Sequence, residues 1–153
     1  MHALAAIGLL CACLSQQAPQ LEFSTLSGQV LGPKQLHNTV RLVHFWATSC
    51  STCIQEMPQL IATQQKYGNQ GFRTLAVAMQ YDNPNHVRNF VQTRQLPFDV
   101  VLDSTGRIAQ AFGSVQITPT TYLINRKGQI IKTYVGEPDF PTLHRLIEQA
   151  LAD

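Results

Sequence analysis

Apolar and polar positions switch between two periods along this chain, and the switches mark its elements. Val40-Arg41-Leu42-Val43-His44-Phe45-Trp46 is a short, nearly continuous apolar run, which predicts a strand buried on both faces. From Ser51 the period lengthens. Met57, Leu60 and Ile61 recur at helix spacing, predicting a helix over 51–67 that ends at Gly68. Pro58 falls inside it and removes one backbone hydrogen bond, so a kink is expected there. Phe72 to Met79 reads as a second buried strand, and Asn85 to Gln95 as a helix with Val87, Phe90 and Val91 on one face. Phe98 to Leu102 suits a short strand, and Ser104 to Phe112 a short helix capped by Ser104 and stopped by Gly113. Tyr122–Asn125 and Gln129–Val135 form a hairpin pattern across Arg126-Lys127-Gly128. Leu143, Leu146, Ile147 and Leu151 mark a last amphipathic helix, and Phe23 to Val30 alternates around Ser27-Gly28 like a short N-terminal hairpin. The alternation of strands and helices is that of an α/β domain.

Chemistry enters where the first buried strand meets the first long helix. Cys50-Ser51-Thr52-Cys53 lies at that junction. Two thiols so spaced at a helix start can close a small disulfide ring. The first also faces unpaired backbone N–H groups and the positive end of the helix dipole, which favour thiolate over thiol. Cys50 is therefore expected to be the attacking thiol, and Cys53, one turn deeper, the resolving one. Half of a zinc site is the competing reading, but zinc needs four ligands, and the only other cysteines are Cys11 and Cys13 near the N-terminus. No metal is expected, and no cofactor beyond a redox-active Cys50–Cys53 disulfide.

Glu56 falls one helical turn beyond Cys53 on the same face. A carboxyl group there can take the Cys53 proton, or it is a solvated glutamate that merely favours the helix dipole. His44, six residues before Cys50, is either a hydrogen-bonded core group or a group that tunes the thiols. Trp46 reads as core or as a wall beside them.

Composition narrows the class. The 153 residues make one domain, with residues 21–153 as its extent. A formal charge of +2, with 13% charged residues and no basic run, argues against nucleic acid as a partner. Ala3 to Leu14 is apolar, too short to span a bilayer but long enough for a signal-peptide core. Ser15 to Gln20 reads as a polar linker, so residues 1–20 are expected to be an export segment and linker. Leu10-Cys11-Ala12-Cys13 loosely resembles the lipidation motif of bacterial lipoproteins, which implies a lipid anchor on Cys13. No Lys or Arg precedes Lys34, so the positive start of an export signal is missing. An ordinary buried N-terminal element is the other reading.

Phe45-Trp46-Ala47-Thr48-Ser49-Cys50-Ser51-Thr52-Cys53 resembles the active-site segment of the thioredoxin superfamily. Glu56 and the loop Ile117-Thr118-Pro119-Thr120-Thr121 narrow the resemblance to its TlpA/ResA-like branch. The resemblance implies a thioredoxin fold: a central mixed sheet flanked by helices, with an N-terminal hairpin and a central helix–strand insert. It also implies a cis Pro119 opposite the cysteines, with Thr118 and Pro119 binding an extended substrate, and a catalytic Glu56. The branch implies an exported, monomeric thiol–disulfide oxidoreductase of the periplasm or cell envelope. Such a protein takes electrons from a membrane thiol transporter and reduces oxidised exported proteins, apocytochrome c included. Ser49 and His44 depart from the family, which usually has Trp and a short acid or amide at those positions. A thiol peroxidase is the enzymatic alternative, although Thr48 stands two residues before Cys50 instead of three. Copper delivery is the other alternative; it uses a wider cysteine spacing.

Overall fold

In the computed structural model, which describes residues 15–153, the chain runs β1 (Phe23–Ser24), β2 (Val30–Leu31), β3 (Val40–Trp46), α1 (Ser51–Tyr67), β4 (Phe72–Ala78), α2 (Pro84–Arg94), β5 (Asp99–Leu102), α3 (Arg107–Ala111), β6 (Thr120–Ile124), β7 (Ile130–Val135) and α4 (Phe140–Ala152). The export and lipidation expectations, with Cys11 and Cys13, lie outside the described residues.

β3 to β7 form one five-stranded sheet in the order β5-β4-β3-β6-β7. β3 pairs parallel with β4 and antiparallel with β6, so the sheet is mixed. The apolar run of β3 sits at its centre because both faces are covered. Val40, Leu42 and Trp46 pack with Met57 and Leu60 of α1 and with Leu143 and Ile147 of α4. Val43 and Phe45, pointing the other way, pack with Leu75, Val77, Ala109 and Phe112. Each such fully buried side chain contributes about 1.5–3 kcal/mol. This is the thioredoxin fold, with β1–β2 as its N-terminal hairpin and α2–β5 as its central insert. The hairpin also covers a sheet edge: Leu26 N–H donates to the Val100 carbonyl at 2.8 Å, satisfying a strand that otherwise ends the sheet.

Local details differ from the sequence reading in three places. Gly68 remains right-handed (φ −58°), and a short 3₁₀ turn, Gly68–Gln70, carries the chain on to Gly71, whose φ of +92° makes the stop. Ser104 does not cap α3. The buried Asp103 carboxylate does, accepting from the N–H groups of Ile108 (3.1 Å) and Ala109 (2.9 Å), because two oxygens satisfy two orphan donors where one hydroxyl satisfies one. Finally, the segment read as a linker lies along the β6–β7 turn: Ala18 N–H donates to the Gly128 carbonyl, and Ile130 N–H to that of Gln16.

Candidate active site

Strand direction assembles the site. β3 and β4 run parallel and β6 runs against them, so the loops after β3 and β4 and the loop before β6 share one sheet edge. On this edge, Cys50 N–H donates to the Ala47 carbonyl at 3.1 Å, closing a tight turn that delivers Cys50 to the N-cap of α1. The Cys50 sulfur accepts the Cys53 N–H at 3.2 Å, one of the orphan donors of the helix start. Cys50 and Cys53 are joined as a disulfide with Cα atoms 5.2 Å apart. Access to the two sulfurs is unequal. Cys50 is half-buried, whereas Cys53 is 0% exposed.

Glu56, one turn further along α1, is also 0% exposed, so it is no solvated first-turn glutamate. Its Oε1 lies 3.0 Å from Nε2 of His44, which is equally buried. The distance is that of an ion pair, but the ring N–H is not aligned for a hydrogen bond, and neither Glu56 oxygen has a hydrogen-bond partner. The contact is thus a close approach of two sealed polar groups without a hydrogen bond. The other ring nitrogen, Nδ1, shares a 2.9 Å hydrogen bond with the Thr121 hydroxyl. His44 and Glu56, alternative candidates in the sequence, thus form one buried unit. Trp46 is a buried wall whose ring lies 5.4 Å from that of Phe90.

The Thr118–Pro119 peptide bond is cis. Its loop is tied down by the Thr120 hydroxyl donating to the Ile117 carbonyl (2.6 Å) and by Gly136 N–H donating to the Pro119 carbonyl (2.8 Å). Beside it, on the α3 side, opens a largely apolar cavity of about 500 Å³ lined by Met79, Tyr81, Ala109 and Val115. Tyr81 in its lining is 63% exposed.

Two residues at this edge escaped the sequence reading. Thr121 meets His44 only through the antiparallel register of β3 and β6, where the two are directly paired. Asp82, in the loop after β4, accepts from both the N–H and the hydroxyl of Thr48, each at 2.6 Å. No local pattern links residues so far apart in sequence. Among the described residues, no group of three or more His, Cys, Asp or Glu could hold a metal ion, and no helix is long and apolar enough to cross a membrane.

Comparison with known proteins agrees with this geometry. The family model described as Redoxin matches residues 14–147. Thioredoxin-like protein YneN of Bacillus subtilis is 34% identical over 125 residues, covering 79% of this chain and 71% of that protein. The thiol-disulfide oxidoreductase ResA of Halalkalibacterium halodurans is 31% identical over 125 residues, covering 79% and 68%. The solution structure of a protein described as a thioredoxin from Neisseria meningitidis superposes with a TM-score of 0.84 at 42% identity, covering 91% of this chain and 92% of that one. A cystine held at a helix start, in a fold and a sequence shared with these proteins, identifies the chain as a member of the Redoxin family and a thiol–disulfide oxidoreductase of the ResA-like type.

Proposed function

We propose that this protein is a reductase of the bacterial cell envelope, passing electrons from a membrane thiol transporter to cystines of exported proteins, apocytochrome c among them. It works as a monomer. The N-terminal segment up to Leu14 carries export, with Cys13 as lipid anchor, and the chain from Ser15 onward belongs to the catalytic domain. Resemblance to the TlpA/ResA-like branch supports the direction of electron flow, and the apolar Ala3–Leu14 stretch supports export.

The observation that carries the mechanism is the vertical order of the site: an accessible Cys50, then a sealed Cys53, then Glu56 one helical turn below. In the reduced form the Cys50 thiolate, held by the Cys53 N–H and the helix start, attacks a substrate disulfide. One substrate thiolate leaves and a mixed disulfide forms. Glu56 takes the Cys53 proton, and the Cys53 thiolate then attacks the Cys50 sulfur. The second substrate thiolate departs, taking up a proton. The substrate gains two electrons, and the enzyme returns to its cystine. Thr118 and Pro119 hold the substrate backbone, and the apolar cavity beside them seats a neighbouring side chain. His44 and Trp46 set the polarity beneath the thiols.

Cys53→Ser, expressed with its natural signal, should trap a mixed disulfide between Cys50 and an exported protein, and Cys50→Ser should trap none. Partners confined to the cytoplasm would overturn the envelope reading. The reduction potential tests direction: a value near thioredoxin's roughly −270 mV fits a reductant, and one near roughly −120 mV refutes it.

A further inference from the structure

The turn Ala47–Cys50 is short, and one of its inner backbone donors is held from outside. Thr48 N–H donates to Asp82 Oδ2 and the Thr48 hydroxyl to Asp82 Oδ1, both at 2.6 Å. These are short, charge-assisted bonds, about twice as strong as neutral ones. Asp82 is itself anchored: its N–H donates to the Met79 carbonyl at 3.0 Å, and Met79 N–H donates to that of Trp46 at 3.0 Å. The next residue, Asn83, caps α2 by accepting from Asn85 N–H at 2.9 Å. The carboxylate therefore stands on a stiff base formed by the end of β4 and the start of α2, and grips the residue two before Cys50.

The consequence differs between redox states. In the oxidised protein the Cys50–Cys53 ring fixes Cys50 at the helix start alongside the Cys50–Ala47 bond and the Asp82 fork. Reduction opens that ring, and the turn then depends on the Cys50–Ala47 bond and on the Asp82 fork. We propose that Asp82 is a positioning residue for disulfide exchange: its fork keeps the reduced Cys50 seated at the N-cap of α1, while its charge opposes the thiolate and so keeps the dithiol a better reductant. The proposal rests on the exchange chemistry of the CxxC pair and is independent of which substrate the protein serves.

Charge and geometry act in opposite directions here, and two substitutions separate them. The remaining ionisable groups of this region are the buried His44 and Glu56, the exposed Tyr81 phenol next to Asp82, and the exposed His86 and Arg88 on α2. The first turn of α1 has no acidic residue, and residues 114–119 include no ionisable one. All of these are unchanged in both variants. Asp82→Asn keeps an oxygen for Thr48 N–H but removes the charge. The pH midpoint of Cys50 alkylation in the reduced protein should fall by about half a unit, the Coulomb effect of one charge nearby at a wet surface. The potential should become more oxidising, while the rate against a small aromatic disulfide at saturating pH stays within about twofold. Asp82→Ala removes fork and charge together. It should cut that saturating rate about tenfold while the melting temperature of the oxidised form stays near the parent's. A parent-like alkylation midpoint in Asp82→Asn overturns the electrostatic half. A parent-like saturating rate in Asp82→Ala overturns the positioning half, leaving Asp82 as a plain tie between two loops. A parent protein inert towards the small disulfide would instead refute the exchange mechanism itself.

Discussion

Replacing His44 by leucine tests whether the buried pair beneath the cystine is a coupled unit. His44 and Glu56 are both 0% exposed, with Nε2 and Oε1 3.0 Å apart. An imidazolium and a carboxylate at that distance would attract by about 5 kcal/mol at an effective dielectric constant near 20, and a neutral pair far less. Desolvating each ion costs several kcal/mol, so the pair as a whole contributes little net stability. Removing one member is a different matter. His44→Leu leaves a sealed carboxyl group whose two oxygens have no hydrogen-bond partner. As an uncompensated charge this costs about 3–5 kcal/mol; as a neutral but unsatisfied acid it costs about 1–3 kcal/mol. In a chain of this size each kcal/mol lowers the melting temperature by about 2–4 °C, so a fall of about 10 °C is expected for the charged case. The second substitution is the control. His44→Leu with Glu56→Leu removes both ends, leaves only the Thr121 hydroxyl short of a partner, and should recover to within about 2 kcal/mol of the parent. Urea unfolding of the disulfide form gives all four corners of the cycle. A single-mutant loss below about 1 kcal/mol, or effects additive to within about 0.5 kcal/mol, would show that the two side chains are neighbours without coupling.

Other outcomes follow from burial and charge. In the native reduced protein at mildly acidic pH, Cys50 alone should be alkylated, because Cys53 is sealed; equal labelling of both thiols, read by mass spectrometry, refutes the division of roles. Glu56→Gln should leave the attack by Cys50 intact and slow the attack by Cys53, so mixed disulfide accumulates during turnover on quenched gels; turnover at the parent's rate assigns that proton to water. His144, whose imidazole hydrogen-bonds the Thr63 hydroxyl at 2.8 Å, is held below the ordinary histidine range by burial first and by Lys66 second, with Glu148 opposing. The folded form thus binds that proton less readily than the unfolded chain. Its contribution is complete above the unfolded value of about 6.5 and is lost as pH falls through the lowered folded value. His144→Gln should therefore flatten the decline in urea midpoint between about pH 7 and pH 5, and an unchanged slope would contradict the assignment.

Much of this protein could be read along the chain because its signals are local. β3 and α1 occupy the residues their periodicities predict, since an apolar run and a helical stripe are properties of neighbouring positions. The redox centre is local as well: two cysteines, a helix start and a glutamate one turn on are all set by helical geometry. Cap details were less legible. Ser104 and Asp103 are both good capping residues, and only the approach of the chain to α3 selects the carboxylate.

What the tertiary structure decided is which polar groups share the space around that centre. Nothing near His44 in sequence indicates that Thr121 lies against one ring nitrogen and Glu56 against the other; the first contact needs the register of β6 on β3, and the second needs α1 laid across the sheet. Asp82 and Thr48 meet only because parallel pairing ends β3 and β4 at the same edge. The sequence by itself determined the elements, the nucleophile and the family resemblance, because periodicity and helix-start chemistry act over a few residues. Partners for buried and half-buried polar groups came only with the fold, because strand register and loop closure bring together residues that local propensity cannot connect.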